Sequence, residues 1–214
     1  MAIAFRSYTD ALGAATTSHV VNAPFGAASG DVIYGHWYTG DAITWTQPSG
    51  WTVLINTSDG TYGSALVCRK VLSAAPDATY TATASVSCDA WGTLSAWTGA
   101  DTTTPEDVAA ASAQSDDATA PEITTATNGA MLLSWWAEND NETGAPPGGM
   151  TAIEASPGPP SYVMAYETRA TAGATGTRIA TGLTFRCTCA SVGIRPAVAA
   201  TAVPNAAMLM GIGI

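Results

Sequence analysis

Apolar and polar positions alternate with a period of two along much of the chain. The clearest run is Tyr80-Thr81-Ala82-Thr83-Ala84-Ser85, and this period sends successive side chains to opposite faces of a strand. Similar runs, rich in Val, Thr, Tyr and Trp, occupy Ile3–Tyr8, Ser18–Ala23, Val32–Thr39, Trp51–Asn56, Gly63–Leu72, Thr79–Ser85 and Trp91–Trp97. A second series covers Ala130–Glu138, Met150–Glu154, Tyr162–Arg169, Thr177–Thr181 and Thr184–Ile194. Clusters of Gly, Pro, Asp and Asn separate the runs, as in β-sandwiches and barrels. No long window carries a helical stripe. The best short helix candidate is Pro105–Ala110, with Thr104 as its cap and Pro105 in its first turn.

The two series echo each other. Gly30-Asp31-Val32-Ile33 leads to His36-Trp37 and then Pro48-Ser49-Gly50-Trp51-Thr52; ninety-nine residues on, Gly129-Ala130-Met131-Leu132 leads to Trp135-Trp136 and then Pro147-Gly148-Gly149-Met150-Thr151. With one-residue slips, Tyr62, Ala65 and Arg69 match Tyr162, Ala165 and Arg169, and Thr79–Thr83 matches Thr177–Thr181. Two copies are too few for a solenoid, which needs about three stacked units. The expected fold is all-β, a jelly-roll-like antiparallel β-sandwich with an internal two-fold sequence repeat. Its half-repeats lie at about 30–98 and 129–195, joined by a bridge at 99–128, within one domain over 1–196. The bridge is too long for a hairpin and is expected to cross between sheets or wrap an edge. Pro146-Pro147-Gly148-Gly149 suits a type II turn with glycine in the left-handed region.

Composition narrows the function. Charged residues make up 11% of the 214 residues and apolar residues 47%, against a usual charged share of about 25%. The surface is then built from hydroxyls and backbone, which suits a protein packed against neighbours. The net charge of −10, with only seven cations, argues against nucleic acid and anionic membrane partners, which need clustered Lys and Arg. No basic-then-apolar leader opens the chain. Residues 197–214 lack charge but are broken by Pro204 and glycines, so they read as an arm that packs on protein rather than a span.

Candidate chemistry is sparse. Cys187 and Cys189 share one strand face, and the four cysteines read as buried free thiols rather than a zinc site. His36, in an aromatic strand, reads as a satisfied strand histidine. No nucleophile elbow or phosphate loop occurs. The carboxylate pairs Asp116-Asp117 and Glu106-Asp107 do not suggest glycoside hydrolysis. Glu138-Asn139-Asp140-Asn141-Glu142 is the densest oxygen cluster and raises Ca²⁺, without the EF-hand pattern. No cofactor is expected. Among the tryptophans, Trp37 and Trp136 hold matching core positions, Trp135 faces the opposite way as His36 does, and Trp45 in the 41–50 loop is the ring expected to be exposed. Trp45 and Trp135 are therefore candidate contacts for a sugar or a protein partner. Met208, Leu209, Met210, Ile212 and Ile214 of the arm are the other candidate partner contacts.

One resemblance fits these residues. Met1–Arg6, Gly30-Asp31-Val32-Ile33, Pro48-Ser49-Gly50-Trp51-Thr52-Val53-Leu54, Trp97–Pro105 and Gly149-Met150-Thr151 resemble a group of small β-sandwich virion proteins of tailed bacteriophages and related particles. The likeness covers most of 1–195 and implies a jelly-roll structural protein on the particle surface. No catalytic residue belongs to the pattern. The expectation is a non-enzymatic decoration (cement) protein that binds the major capsid protein or other virion proteins as a homotrimer, assembled in the host cytoplasm. The alternative is a tail-fibre or baseplate module that binds host glycan.

Overall fold

The structure is a computed structural model that describes residues 1–198. The first half forms β1 (Ala4–Asn22), β2 (Val32–Thr39), β3 (Trp45–Thr46), β4 (Thr52–Asp59), β5 (Gly63–Val71) and β6 (Thr79–Thr98). The second forms β7 (Ala111–Ser115), β8 (Thr119–Ala120), β9 (Thr124–Thr125), β10 (Ala130–Glu138), β11 (Thr151–Ser156), β12 (Ser161–Arg169), β13 (Gly173–Ala174), β14 (Arg178–Ile179) and β15 (Cys187–Ile194). One sheet runs β1-β6-β2-β5-β4, with β3 on β6; the other runs β11-β12-β10-β15-β7; and the short pairs β13-β9 and β14-β8 lie apart. All the pairings are antiparallel. The all-β sandwich is as the alternation predicts. Its wiring is simpler than a jelly roll, because each sheet is filled from one contiguous stretch of chain.

Three apolar clusters explain the strand patterns. Between the sheets, Val32, Tyr34 and Tyr38 of β2 and Trp97 of β6 meet Met131, Leu133 and Trp135 of β10 and Tyr162 and Met164 of β12. The alternate residues Ile33, Trp37, Leu66, Cys68 and Leu94 turn to the other face of the first sheet, under Val21, Trp45, Trp51, Tyr80 and Ala82. On the outer face of the second sheet, Trp136, Val163, Cys187 and Cys189 pack with Ala118, Ala120, Ala180 and Leu183. Strands β2, β10 and β15 are therefore buried at every position, which is why they read as unbroken rather than alternating runs.

The outer cover of the first sheet is its own two longest strands. Each merges two runs expected to be separate, Ile3–Tyr8 with Ser18–Ala23 in β1 and Thr79–Ser85 with Trp91–Trp97 in β6. Between the pairs Thr16–Cys88 and Ser18–Thr83 the ladder skips Ala84–Ser87 of β6 against Thr17 of β1. Such a bulge bends the ribbon, and β3 takes up the freed stretch through Trp45–Ala84.

No helix forms among the described residues. At 105–110, the Asp107 N–H bonds Gly193 O at 2.7 Å, and Pro105 O accepts from Arg195 N at 2.8 Å. The Glu106 carboxylate is held by Arg69 at 2.8 Å. A helix this short is marginal on its own, so these tertiary partners win. The bridge carries the chain from β6 to the edge of the other sheet at β7.

Local features recur at the ninety-nine-residue spacing. Turn bonds join Asp31 N to Ala28 O and Ala130 N to Thr127 O, then Trp51 N to Pro48 O and Met150 N to Pro147 O. The last turn holds Gly149 at φ +90°, as the type II reading requires. The strand order also matches, β7-β15-β10-β12-β11 against β1-β6-β2-β5-β4. The match of Ala65 to Ala165 fails in the ladders. Ala65 lies opposite Tyr38, whereas Ala165 lies opposite Ser134, the place corresponding to Cys68 opposite Gly35. The displacement from Ala65 to Cys68 is an odd number of residues, and so it reverses the face.

Gly63 and Gly30 separate steric clash from backbone strain. Gly63 has φ +85°, and a Cβ there would lie 2.2 Å from Thr39 O; Gly30 has φ +90° with open space around it. Gly30→Ala is expected to cost about 1–2 kcal/mol, and Gly63→Ala more than twice that, read by urea unfolding. Equal losses would show that backbone conformation alone sets both.

Candidate functional site

The two rings proposed as contacts are both inside. Trp45 is 4% exposed; its Nε1 donates to Ser64 O at 3.2 Å, and its ring meets His19 edge-on at 5.4 Å. The 41–50 loop turns inward because Ile43 N is held by Ser64 Oγ at 2.9 Å, so the expected exposed ring roofs the first sheet instead. Trp135 has no exposed surface and stacks on His36, with centroids 5.6 Å apart and planes 11° apart. Neither ring can meet a sugar or a partner without unfolding its cluster. Met208, Leu209, Met210, Ile212 and Ile214 lie outside the described residues.

His36 is not a satisfied histidine. It is fully buried, and neither ring nitrogen has a hydrogen-bond partner. Its neighbours are the rings of Trp135 and Tyr162 and its ladder partners Val67 and Thr93. Burial pulls its pKa down to about 3, so it sits neutral in the sandwich centre. It holds Trp135 by stacking, not by proton chemistry.

Sequence reading missed a cysteine–histidine pair. Cys88 Sγ lies 3.5 Å from His19 Nε2, both nearly buried. The signal is absent from sequence because the irregular β1–β6 register, Thr16 opposite Cys88, brings them together. Burial lowers the His19 pKa and raises that of Cys88. An activated nucleophile needs the thiolate, and this environment favours neutral thiol and neutral imidazole. All four cysteines are free and buried, with Cys187 and Cys189 together in the outer cluster of the second sheet.

The acidic run 138–142 does not converge. Glu138 is fully buried, and its Oε2 accepts from Phe185 N at 3.0 Å and from Cys187 Sγ at 3.5 Å. Burial raises its pKa. Glu142 accepts from Thr184 Oγ1 at 2.7 Å, while Ser161 Oγ bonds the backbone oxygens of Asp140 and Glu142. Among the described residues no group of three His, Cys, Asp or Glu is placed to hold a metal. Glu106 and Asp107 also diverge. Glu106 accepts from the Tyr34 hydroxyl at 3.2 Å, and Asp107 accepts from Ala126 N and Thr127 N.

Several large apolar side chains are exposed among the described residues, and Phe25 is the one aromatic ring of them that stands almost wholly in solvent. Phe25 is 89% exposed at the tip of a turn closed by Ala27 N to Pro24 O at 3.2 Å. Gly26 there has φ +73°, and Phe25 O accepts from Ser7 Oγ at 2.6 Å. Arg6 lies beside it, its side chain 34% exposed and paired with buried Asp31 at 2.7 Å. A large ring on a pinned backbone beside an arginine is the composition of a protein-contact anchor. Nothing in sequence marks Pro24-Phe25-Gly26 beyond a turn.

No protein-family model matches the chain, and neither the curated proteins nor the solved structures compared with it include a match.

Two measurements follow from the buried groups. A histidine whose pKa drops from 6.5 to about 3 on folding binds its proton more readily when unfolded. Stability is therefore full above pH 6.5 and falls as pH drops toward 3. At pH 5, His36 alone should account for a loss of about 2 kcal/mol. The stability difference between wild type and His36→Phe should change by that amount between pH 7 and 5; a constant difference would mean His36 takes up its proton as readily in the fold as in the unfolded chain. In native protein the four thiols should react with a thiol reagent at least about 100-fold slower than in urea. A fast native class would show that one thiol is accessible.

Proposed function

We propose that the chain is a non-enzymatic structural protein of a phage-like particle, one that decorates the capsid and cements neighbouring major-capsid subunits. The residue pattern at Gly30–Ile33, Pro48–Leu54 and Trp97–Pro105, which resembles that of tailed-phage sandwich proteins, suggests the particle, and the exposed Phe25 on its held turn supports docking on protein. Phe25 is the observation that carries the reading, because the backbone that presents it is already held before a partner arrives. The chain's low charge suits a life against neighbours. Its cations largely tie its own seams, as in Arg6–Asp31, Arg69–Glu106, Arg178–Glu167 and Arg195–Asp107. Repeated over a lattice, a weak contact at each copy adds to a stable shell. A trimer at lattice three-fold positions suits that geometry. The glycan-binding tail alternative loses support with Trp45 and Trp135 buried.

Electron microscopy of purified particles labelled with antibody to this chain should place it on the head, in copy number scaling with capsomers; a few copies on the tail would overturn the assignment. Phe25→Ala should leave the thermal midpoint unchanged and weaken particle binding by about 10-fold or more. Unchanged saturation of particles by the variant would remove Phe25 as the anchor.

A further inference from the structure

The two long edges of the sandwich are finished differently. Where β1 faces β11, the edge is filled: the rings of Phe5, Trp97 and Tyr166 pack at 5.2–5.8 Å, and Tyr8 reaches Glu154, whose carboxylate helps push its pKa up to about 12. Where β4 faces β7, the edge stays open. A cleft of about 340 Å³ runs there between Thr57–Asp59 of β4 and Ser112–Gln114 of β7, with Thr188 between them. Both strands are last in their sheets, so each leaves a row of backbone donors and acceptors without a ladder.

We propose that this cleft binds an extended segment of a partner protein bearing Lys or Arg, added as a further strand on β7. The two edges are not equal candidates. β4 is interrupted by a bulge between Val53 and Ile55, a usual protection of an edge, whereas β7 pairs with β15 in unbroken register. The lining is hydroxyl, amide and carboxylate, without an aromatic ring for a sugar to stack on or a cation for a phosphate. Thr57 Oγ1 lies in the wall, buried and without a hydrogen-bond partner. The charge selects a cationic strand. Asp59 borders the cleft, Asp116 follows β7 near the Tyr62 hydroxyl, and Arg186 is the opposing cation there. Main-chain bonds give such a contact its affinity and the charges give it selectivity. The site does not depend on the particle assignment, since any protein partner with such a segment would use it.

The probe is a synthetic ten-residue peptide alternating Thr and Val with two lysines, titrated into the full chain and followed by amide NMR shifts. Shifts should concentrate at 57–59, 111–115 and 188. A counterpart with glutamates for lysines should bind at least 10-fold more weakly, and one with a central proline should not bind. Asp59 accepts from Thr61 N and Tyr62 N, so Asp59→Asn retains the turn and removes only charge. Combined with Asp116→Asn, it should weaken the lysine peptide about 5-fold or more, with the free protein's spectrum otherwise preserved. Shifts elsewhere, equal binding of the glutamate peptide, or an unaffected double variant would each overturn the proposal.

Discussion

Because the middle strands of both sheets are apolar on both faces, the sandwich depends on what covers its outsides. A sheet with one wet face needs only its partner sheet. Here Trp37 and Trp136 point away from the shared interior and would face water if nothing lay over them. The first sheet solves this with its own length, since β1 and β6 run past the ladder, bend at the Ala84–Ser87 bulge and return as a roof. The second uses short pieces, β8 with β14 and the Ala145–Thr181 bridge. Loops that look free in sequence, such as 41–50, are recruited to this work, and Trp45 is buried by it.

Polar groups then fix where these covers start. Asp31 accepts from Ala28 N at 2.8 Å ahead of β2 while holding Arg6 of β1. Asp107 plays the same part ahead of β10, accepting from Ala126 N and Thr127 N with Arg195 at 3.5 Å. Both carboxylates are nearly buried, and a buried charge keeps its place only when paired and bonded. In a chain with so few cations, pairing Arg6 and Arg195 here leaves the remaining charge largely acidic.

Much of the strand plan was legible in the residues, because Gly, Pro and Asp clusters punctuate it and period two marks its faces. The paired tryptophans at 37 and 136 and the opposite facing of Trp135 were legible for the same reason. The merging of runs in β1 and β6 was not, since the Thr9–Thr17 stretch is weakly apolar and its pairing is set by a long-range bulge. The 105–110 segment misled because cap and proline are local signals, while Arg69, Gly193 and Arg195 are distant ones. Exposure was least legible. Trp45 lies in a loop by sequence and in a core by packing, and Phe25 is exposed for reasons that only a turn and Ser7 supply. The open β4–β7 edge depends on which strands end the sheets, which no local pattern states.

The separation of the interior into three clusters has a consequence for how the chain can vary. Substitutions under the roof of the first sheet, around Trp37 and Trp51, have no direct contact with those around Trp136, so each outer cluster can drift and be repaired within its own half. The inner cluster is different, because the halves meet across all of it, and two contacts join positions ninety-nine residues apart: His36 stacks on Trp135, and the Asn139 side chain fills the space a side chain at Gly40 would need. A change at one of these four positions constrains its counterpart in the other half. Variation in this chain should therefore be free within each outer cluster and matched between the two sheets across the whole inner one.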